Sequence, residues 1–507
     1  MAPTLPWKSD SSNITLLNRD SSQKPIWHRH QTPLESTAYG DLNRIISSVQ
    51  LTCTSKKFTI DVLKTAVRQL RFDHPAIATE HAWAGPGRTV FAYEVLQSDV
   101  EVDAWLDGVV LDAGSSSASG LAAAIEALTT ELVKPKTEYR PVFLVYHIPG
   151  DGEHGLVFFF SHSVFDATGC FQLMDLCLSR IADALEGGGR KALAWGEETG
   201  RLPTAFLDAA RISSTAERTS EDEEMVKRIK EVVDSLPTAH TLPTPFPHPA
   251  ASPPGVFSHA IPAAQLSALL AAARVNGCTI FSLLMAVMSI ATVRLRPLVN
   301  SSRVNIPYLF SPVDARPLTC TDAYDRNEWK VRISMGFNSY VTRDLGRFVS
   351  EGEEDVWTLA REVRAQTEVH KKHYERMAVW WTDVLTTISK GPGQQARFRI
   401  RPPTEWLPIL SSIGVVDKYL SQSYGPLTVS EPRLRPAYSA PSSAGAGWVA
   451  LHCFTWNGRM EMAWSFPEGA MGSAAQQRAA LQEGKEGEAV ALRYVQECMR
   501  LLDGLPR

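Results

Sequence analysis

The residues best suited to chemistry gather in one stretch, GLVFFFSHSVFDATGC, running from Gly155 to Cys170. Leu156 to Phe160 is an unbroken apolar run, too short and bulky for a helix, and reads as a fully buried strand. His162 follows the strand's last residue, Ser161, and Asp166 stands four residues further on, ahead of Ala167, Thr168 and Gly169. A neutral imidazole, whose ordinary pKa is about 6.5, suits removal of a proton from a hydroxyl or amine that attacks a carbonyl. Asp166 could orient His162 directly, as in a hydrolase dyad, or point away and fix the turn through an arginine. The tight Asp-Ala-Thr-Gly turn favours the second arrangement. The bland alternative for His162 is a satisfied histidine at a strand end. Its position at the mouth of a buried strand, partly desolvated yet reachable, argues for chemistry.

Little else in the chain competes. There is no P-loop, no Gly-rich nucleotide fingerprint and no GxSxG elbow. His370 and His373 lie three apart on a charged helix without a third ligand nearby, and read as solvated rather than metal-binding. No metal site is expected. The neighbouring Trp380-Trp381 pair reads as a core ridge.

The elements that must position His162 can be read around it. Pro141–Ile148 is a second buried strand, joined to the first by Pro149-Gly150-Asp151-Gly152-Glu153-His154, a hairpin-like connection. Phe171, Met174, Cys177, Leu178 and Ile181 share one face of a helix after the motif, which EGGGR at 186–190 ends. Upstream, Arg44–Leu51 and Val90–Val95 read as strands, and Asp61–Phe72 and Leu121–Leu132 as helices. Trp7 and Trp27 are anchors for an otherwise polar N-terminal segment, and GSSSASG at 114–120 is a loop. Downstream, helices are expected near 220–236, 263–276, after Thr279, at 356–374 and at 489–502. Strands are expected at 256–261, 410–416, 448–455 and 460–466, the last two joined by the hairpin signal Asn457-Gly458. Residues 469–487 carry little structure signal.

A chain of 507 residues, 44% hydrophobic and 21% charged, should form two or more domains. Prolines at 243, 245, 247, 249, 253 and 254 mark a linker, so the expected division is an N-terminal domain of residues 1–237, a linker at 238–255 and a C-terminal domain of 256–507. A net charge of -4 and no basic run interleaved with aromatics argue against nucleic acid as a partner. The most apolar segment, Cys278–Val293, is shorter than the roughly 20 residues of a membrane span and reads as a core helix. With no signal-peptide pattern, the Asn13 sequon is read as a chance match; seven scattered cysteines suit a reducing cytoplasm.

SHSVFDATG also resembles the active-site motif of the CoA-dependent acyltransferase superfamily, which includes chloramphenicol acetyltransferase, the BAHD acyltransferases, carnitine acyltransferases and peptide-synthetase condensation domains. The likeness is greatest to the fungal trichothecene O-acetyltransferase group and its secondary-metabolite relatives. SPVDARP at Ser311–Pro317 and SSIGVVDKYL at Ser411–Leu420 resemble segments of that group in the same order. Departures are visible: Ser161 stands where condensation domains carry a second histidine, and Ala167 where BAHD enzymes carry glycine. The BAHD Asp-Phe-Gly-Trp-Gly motif is absent.

The resemblance implies an α/β fold of two chloramphenicol-acetyltransferase-like domains, each a mixed β-sheet flanked by helices, with the active site in a tunnel between them. It implies an acyl-CoA-dependent O-acyltransferase, in the first instance an acetyltransferase, acting on a hydroxyl of a secondary metabolite such as a terpenoid. His162 would be the general base in direct transfer without an acyl-enzyme. Asp166, with Gly169, would be structural and paired with Arg316. Ser411 and Ser412 would be donors to the oxyanion, or else polar residues capping a strand. His452 would face the tunnel or, more ordinarily, pack within its strand. Acyl-CoA would be a co-substrate rather than a bound cofactor, and the protein a cytoplasmic monomer. Two other readings are a condensation-like enzyme using a carrier-bound donor, and a relative recruited for cyclisation.

Overall fold

The computed structural model describes residues 7–9, 15–16, 25–32, 35, 43–55, 57–84, 89–114, 120–134, 141–210, 219–235, 239–243, 245–246, 254–296, 305–318, 333–348, 353–373, 405–438 and 447–505. The chain divides into two compact units. The first gathers Met1–Ala216, Asp314–Met335 and Val416–Ala437; the second gathers Glu217–Val313, Gly336–Val415 and Tyr438–Arg507. This differs from the contiguous halves expected at 1–237 and 256–507. Two later segments return to the first unit, and the proline stretch lies wholly in the second. Leu242–Pro243 pairs with Trp406 and Glu405, and Pro254 opens a strand opposite Pro467. Proline is tolerated at strand ends, where its missing N–H costs no ladder bond.

In the first unit the elements run β1 (Thr15–Leu16), β2 (Ile26–His30), β3 (Asn43–Cys53), α1 (Ile60–Asp73), β4 (Thr79–Trp83), β5 (Thr89–Glu94), α2 (Asp99–Val109), β6 (Val110–Asp112), α3 (Leu121–Val133), β7 (Phe143–Pro149), β8 (Glu153–Ser161) and α4 (Ala167–Leu185). The returning segment adds strands Ser423–Tyr424 and Leu427–Tyr438, which extend a six-stranded sheet beyond β3, with β8, β7 and β6 following in order. A four-stranded sheet has the order β1-β4-β5-β2. Trp7 is an anchor as expected: its indole N–H donates to the Pro203 carbonyl at 2.7 Å.

β8 is central, antiparallel to both β3 and β7, and buried on both faces from His154 to Ser161. That is why its apolar run does not alternate. The β7–β8 hairpin turns at Gly152, whose φ of +73° favours glycine. Gly155 is the contact point for α3: a Cβ there would lie 2.9 Å from the Ile125 side chain.

In the second unit come α5 (Ser220–Ser235), β9 (Leu242–Pro243), β10 (Pro254–Ile261), α6 (Ala263–Val275), α7 (Ile280–Leu295), β11 (Ile306–Asp314), β12 (Met335–Thr342), α8 (Glu353–Lys372), β13 (Glu405–Val415), β14 (Gly447–Trp456), β15 (Arg459–Pro467), α9 (Ala474–Gln482) and α10 (Val490–Asp503). Its sheet has the order β10-β15-β14-β13-β9, with β13 and β14 parallel; β11 and β12 form a separate pair. α7 is buried from Ser282 to Val293 and opens with a reciprocal capping box between Thr279 and Ser282. Asn457 and Gly458, with φ of 48° and 75°, make the expected β14–β15 turn.

Sequence patterning missed β2, β4, α2, β11, β12 and the strand at 427–438. It also passed over α9, whose capping box of Ser473 and Gln476 lies in the stretch expected to be weakly structured. Among the described residues, no single helix is long and apolar enough to cross a membrane. The six described cysteines are buried free thiols. The Asn13 sequon, residues 115–119 of the GSSSASG loop, Cys320 and Trp380-Trp381 lie outside the described residues.

Candidate active site

The site is assembled at the end of β8. The chain leaves the sheet at Ser161, whose carbonyl accepts from the backbone N–H groups of Val164 and Phe165, both at 3.1 Å. This closes a tight turn holding His162, which is 8% exposed. The imidazole Nδ1 lies 2.9 Å from the Phe165 carbonyl oxygen. A carbonyl only accepts, so Nδ1 carries the proton of the neutral ring and the lone pair is on Nε2. Burial holds the His162 pKa below the ordinary histidine value, opposed in part by the Asp166 charge and the Phe165 carbonyl. The ring is therefore neutral at pH 7 and basic at Nε2.

The hydrogen bonds of Asp166 go elsewhere. It is the N-cap of α4, its Oδ1 accepting from the Gly169 N–H at 2.7 Å. Arg316 reaches the same carboxylate with both terminal nitrogens, Nη2 to Oδ1 at 2.7 Å and Nη1 to Oδ2 at 3.1 Å. The Ser334 N–H donates to Oδ2 at 2.7 Å. Arg316 also bonds Asp314 Oδ1 at 2.9 Å. Burial works against the Arg316 charge, but Asp166 and Asp314 outweigh it and keep the guanidinium firmly protonated. The segment 314–335 is further tied to the turn by the Ile333 N–H, which donates to the Val164 carbonyl at 2.8 Å. Of the two arrangements open from sequence, the structure has the arginine-bound one.

Cys170 lies fully buried in α4. Burial, and then the Asp166 charge, push its thiol well above the usual range. Ser411, Ser412 and His452 belong to the second unit. Ser411 on β13 is in register with His452 on the parallel β14, and Ser412 with Cys453; a bulge follows between Ser412 and Gly414, whose φ is +86°. His452 is buried in mid-sheet between Ser411 and Ala463, as a packed strand histidine would be.

His370 corrects an expectation: it is buried rather than solvated, and its Nε2 donates to the Ser339 carbonyl at 2.9 Å. α8 packs against the core through that face, so its charged sequence conceals an inward histidine. His373 instead has Nδ1 3.4 Å from the Glu221 carboxylate. Among the described residues, no group of three His, Cys, Asp or Glu side chains is arranged to hold a metal.

Sequence reasoning missed Ser334, whose contribution is a backbone N–H, and a polar chain through His81 and Ser163. Neither leaves a spacing signature.

No family model and no curated protein matches the sequence. Solved structures do match. TRI3 trichothecene 15-O-acetyltransferase from Fusarium sporotrichioides superposes with a TM-score of 0.74 at 14% identity, over 96% of this chain and 98% of that one. The first condensation domain of the CDA synthetase gives 0.59 at 14% identity, over 91% of each chain. The starter condensation domain of rhizomide synthetase, solved with C8-CoA and Leu-SNAC, gives 0.54 at 11% identity over 91% of this chain and 92% of that one. The chain has the fold of the CoA-dependent acyltransferases and condensation domains.

Proposed function

We propose that the protein is an acyl-CoA-dependent O-acyltransferase, in the first instance an acetyltransferase, acting on a hydroxyl of a small secondary metabolite such as a terpenoid. The observation that carries this reading is the tautomer of His162. Its Nδ1–H is committed to the Phe165 carbonyl, so Nε2 is the basic atom, on a rigid turn at the end of a buried strand. Asp166 and Arg316 hold the turn and take no part in proton transfer.

In the proposed reaction, Nε2 takes the proton of the acceptor hydroxyl as its oxygen attacks the thioester carbonyl. A C–O bond forms and the carbonyl electrons move to the oxygen. Collapse of this tetrahedral oxyanion breaks the C–S bond, and the imidazolium returns its proton to the departing thiolate. Ester and free CoA result, histidine is neutral again, and no acyl-enzyme forms. General-base assistance of this kind contributes about 10²–10⁴-fold. The oxyanion needs a hydrogen-bond donor, and loss of such a donor lowers kcat about 10²–10³-fold.

The fold neighbours support acyl transfer, and the acetyltransferase among them supports the choice of acyl group. The test is incubation with acetyl-CoA and a panel of hydroxylated small molecules, followed by mass analysis for acetylated product. The expected result is product with the native protein and none with His162→Ala. Equal product from His162→Ala overturns the assignment. Turnover only with a carrier-tethered donor replaces it with the condensation-like reading.

A further inference from the structure

A second set of hydrogen bonds holds the His162 turn. Ser161 and Ser163, the two neighbours of the histidine, join through their hydroxyls at 2.8 Å. Ser163 Oγ lies 2.8 Å from Nε2 of His81, in the middle of β4. His81 Nδ1 lies 2.7 Å from the amide nitrogen of Gln31, just after β2. His81 and both serines are buried.

The direction of this chain follows from its end. An amide nitrogen only donates, so His81 Nδ1 accepts and the ring proton is on Nε2. His81 therefore donates to Ser163 Oγ, which also shares a hydrogen bond with Ser161 Oγ in which either hydroxyl can donate. The arrangement superficially matches a serine nucleophile with a histidine base. It is not one, because the proton sits on the nitrogen that would have to abstract, and Ser163 is 0% exposed.

We infer that His81 is a positioning residue for the reaction proposed above. Through Ser163 it fixes the backbone on both sides of His162, and so fixes the direction of Nε2. The inference rests on the reading of His162 as the base. The chain ties the four-stranded sheet, which carries His81 and is followed at the end of β2 by Gln31, to the end of β8 in the six-stranded sheet. Together with the Arg316, Ser334 and Ile333 bonds, it holds the turn by two independent sets of contacts. A misplacement of about 1 Å at a reacting group can cost about 10²-fold, so such a clamp has a kinetic consequence.

The experiment uses the full chain labelled with ¹⁵N at histidine, together with the rate of thioester cleavage of acetyl-CoA. In the native protein, NMR should show His162 protonated at Nδ1 and His81 at Nε2. His81→Leu and Ser163→Ala should each shift the His162 ring signals and lower kcat about 10–10²-fold, with KM for acetyl-CoA unchanged within about twofold. The double variant should be no worse than either single one, because both break one chain. His81→Gln, whose amide can still donate to Ser163, should recover most of the rate. Unchanged His162 signals in His81→Leu and Ser163→Ala overturn the inference, as does a rate loss that follows melting temperature and is not recovered by glutamine. A native protein whose cleavage of acetyl-CoA is independent of His162 sinks the base assignment instead. The NMR tautomers would then still report whether His81 holds the turn.

Discussion

Asp166→Ala is the perturbation that best separates the two roles a carboxylate near His162 can play. In the structure the side chain accepts four hydrogen bonds, two from Arg316 and one each from Ser334 N–H and Gly169 N–H. Alanine leaves a buried guanidinium leaning on Asp314 for its charge, orphans a buried backbone N–H and removes the N-cap of α4. Breaking a buried pair by deleting one partner costs about 3–5 kcal/mol. Cap loss alone is about 1 kcal/mol and overlaps with that figure. At about 2–4 °C per kcal/mol for a body of this size, the melting temperature should fall by roughly 6–20 °C. Thermal unfolding followed by circular dichroism, with soluble yield, measures this. Asp166→Asn keeps an acceptor for Gly169 and should fall between. Asp166→Ala/Arg316→Met should be more stable than Asp166→Ala alone, because the unpaired buried cation is gone. The reasoning is refuted if Asp166→Ala melts within about 2 °C of the native protein yet loses about 10²-fold or more in turnover. That pattern would make Asp166 an electrostatic partner of His162.

Three further outcomes are expected. kcat/KM should rise with pH through a value below the ordinary histidine pKa and then stay level through neutrality, since burial favours the neutral base; a profile still climbing above pH 7 would contradict the buried, Nδ1-bonded ring. The stacked pair His147 and His154, joined Nε2 to Nδ1 at 3.0 Å, should make the protein acid-sensitive. Burial first, then His154, lower His147 to about 4, against the weaker pull of Asp112. The unfolded chain therefore binds more protons, and this stabilisation is complete above about pH 6.5 and lost as pH falls toward 4. His147→Phe should flatten that part of the melting-temperature profile, and an unchanged slope would exclude the pair. Finally, Gly155→Val should drive its side chain into Ile125 and Leu121 and destabilise the fold by about 1–3 kcal/mol, read from denaturant unfolding.

What could be read from sequence was local. Leu156–Phe160, His162 and Asp166 stand within a dozen residues, and an apolar run followed by a polar turn and an amphipathic helix has few solutions. Arg316 stands 150 residues from Asp166, and no spacing argument links them; only the likeness of SPVDARP to a known pattern did. His81 was hidden more thoroughly. Its strand was not predicted, because the run from Thr79 to Trp83 is short and largely polar, and its partner is a serine. The two units differ from the division expected at the proline stretch for a related reason. Proline density reports local backbone stiffness, whereas unit membership depends on where distant segments such as 314–335 and 416–437 pack.

The occupancy of Asp166 also bears on how strong a base the site contains. An ionised carboxylate offers about four lone-pair positions, and here four donors use them. None is left to take the His162 Nδ1–H, which goes to a neutral carbonyl instead. A directly bonded carboxylate would stabilise the imidazolium and raise its pKa. A carbonyl does so less, and Arg316 compensates the charge of Asp166 at close range. The result is a weaker base, for that reason unprotonated at neutral pH, and a correspondingly strong acid once charged. For the thioester transfer proposed above that balance is apt. In that reaction the proton would be held only while the tetrahedral intermediate exists, and it would then pass to a thiolate, itself a modest base. A histidine made more basic by Asp166 would accept the proton more readily and release it more slowly.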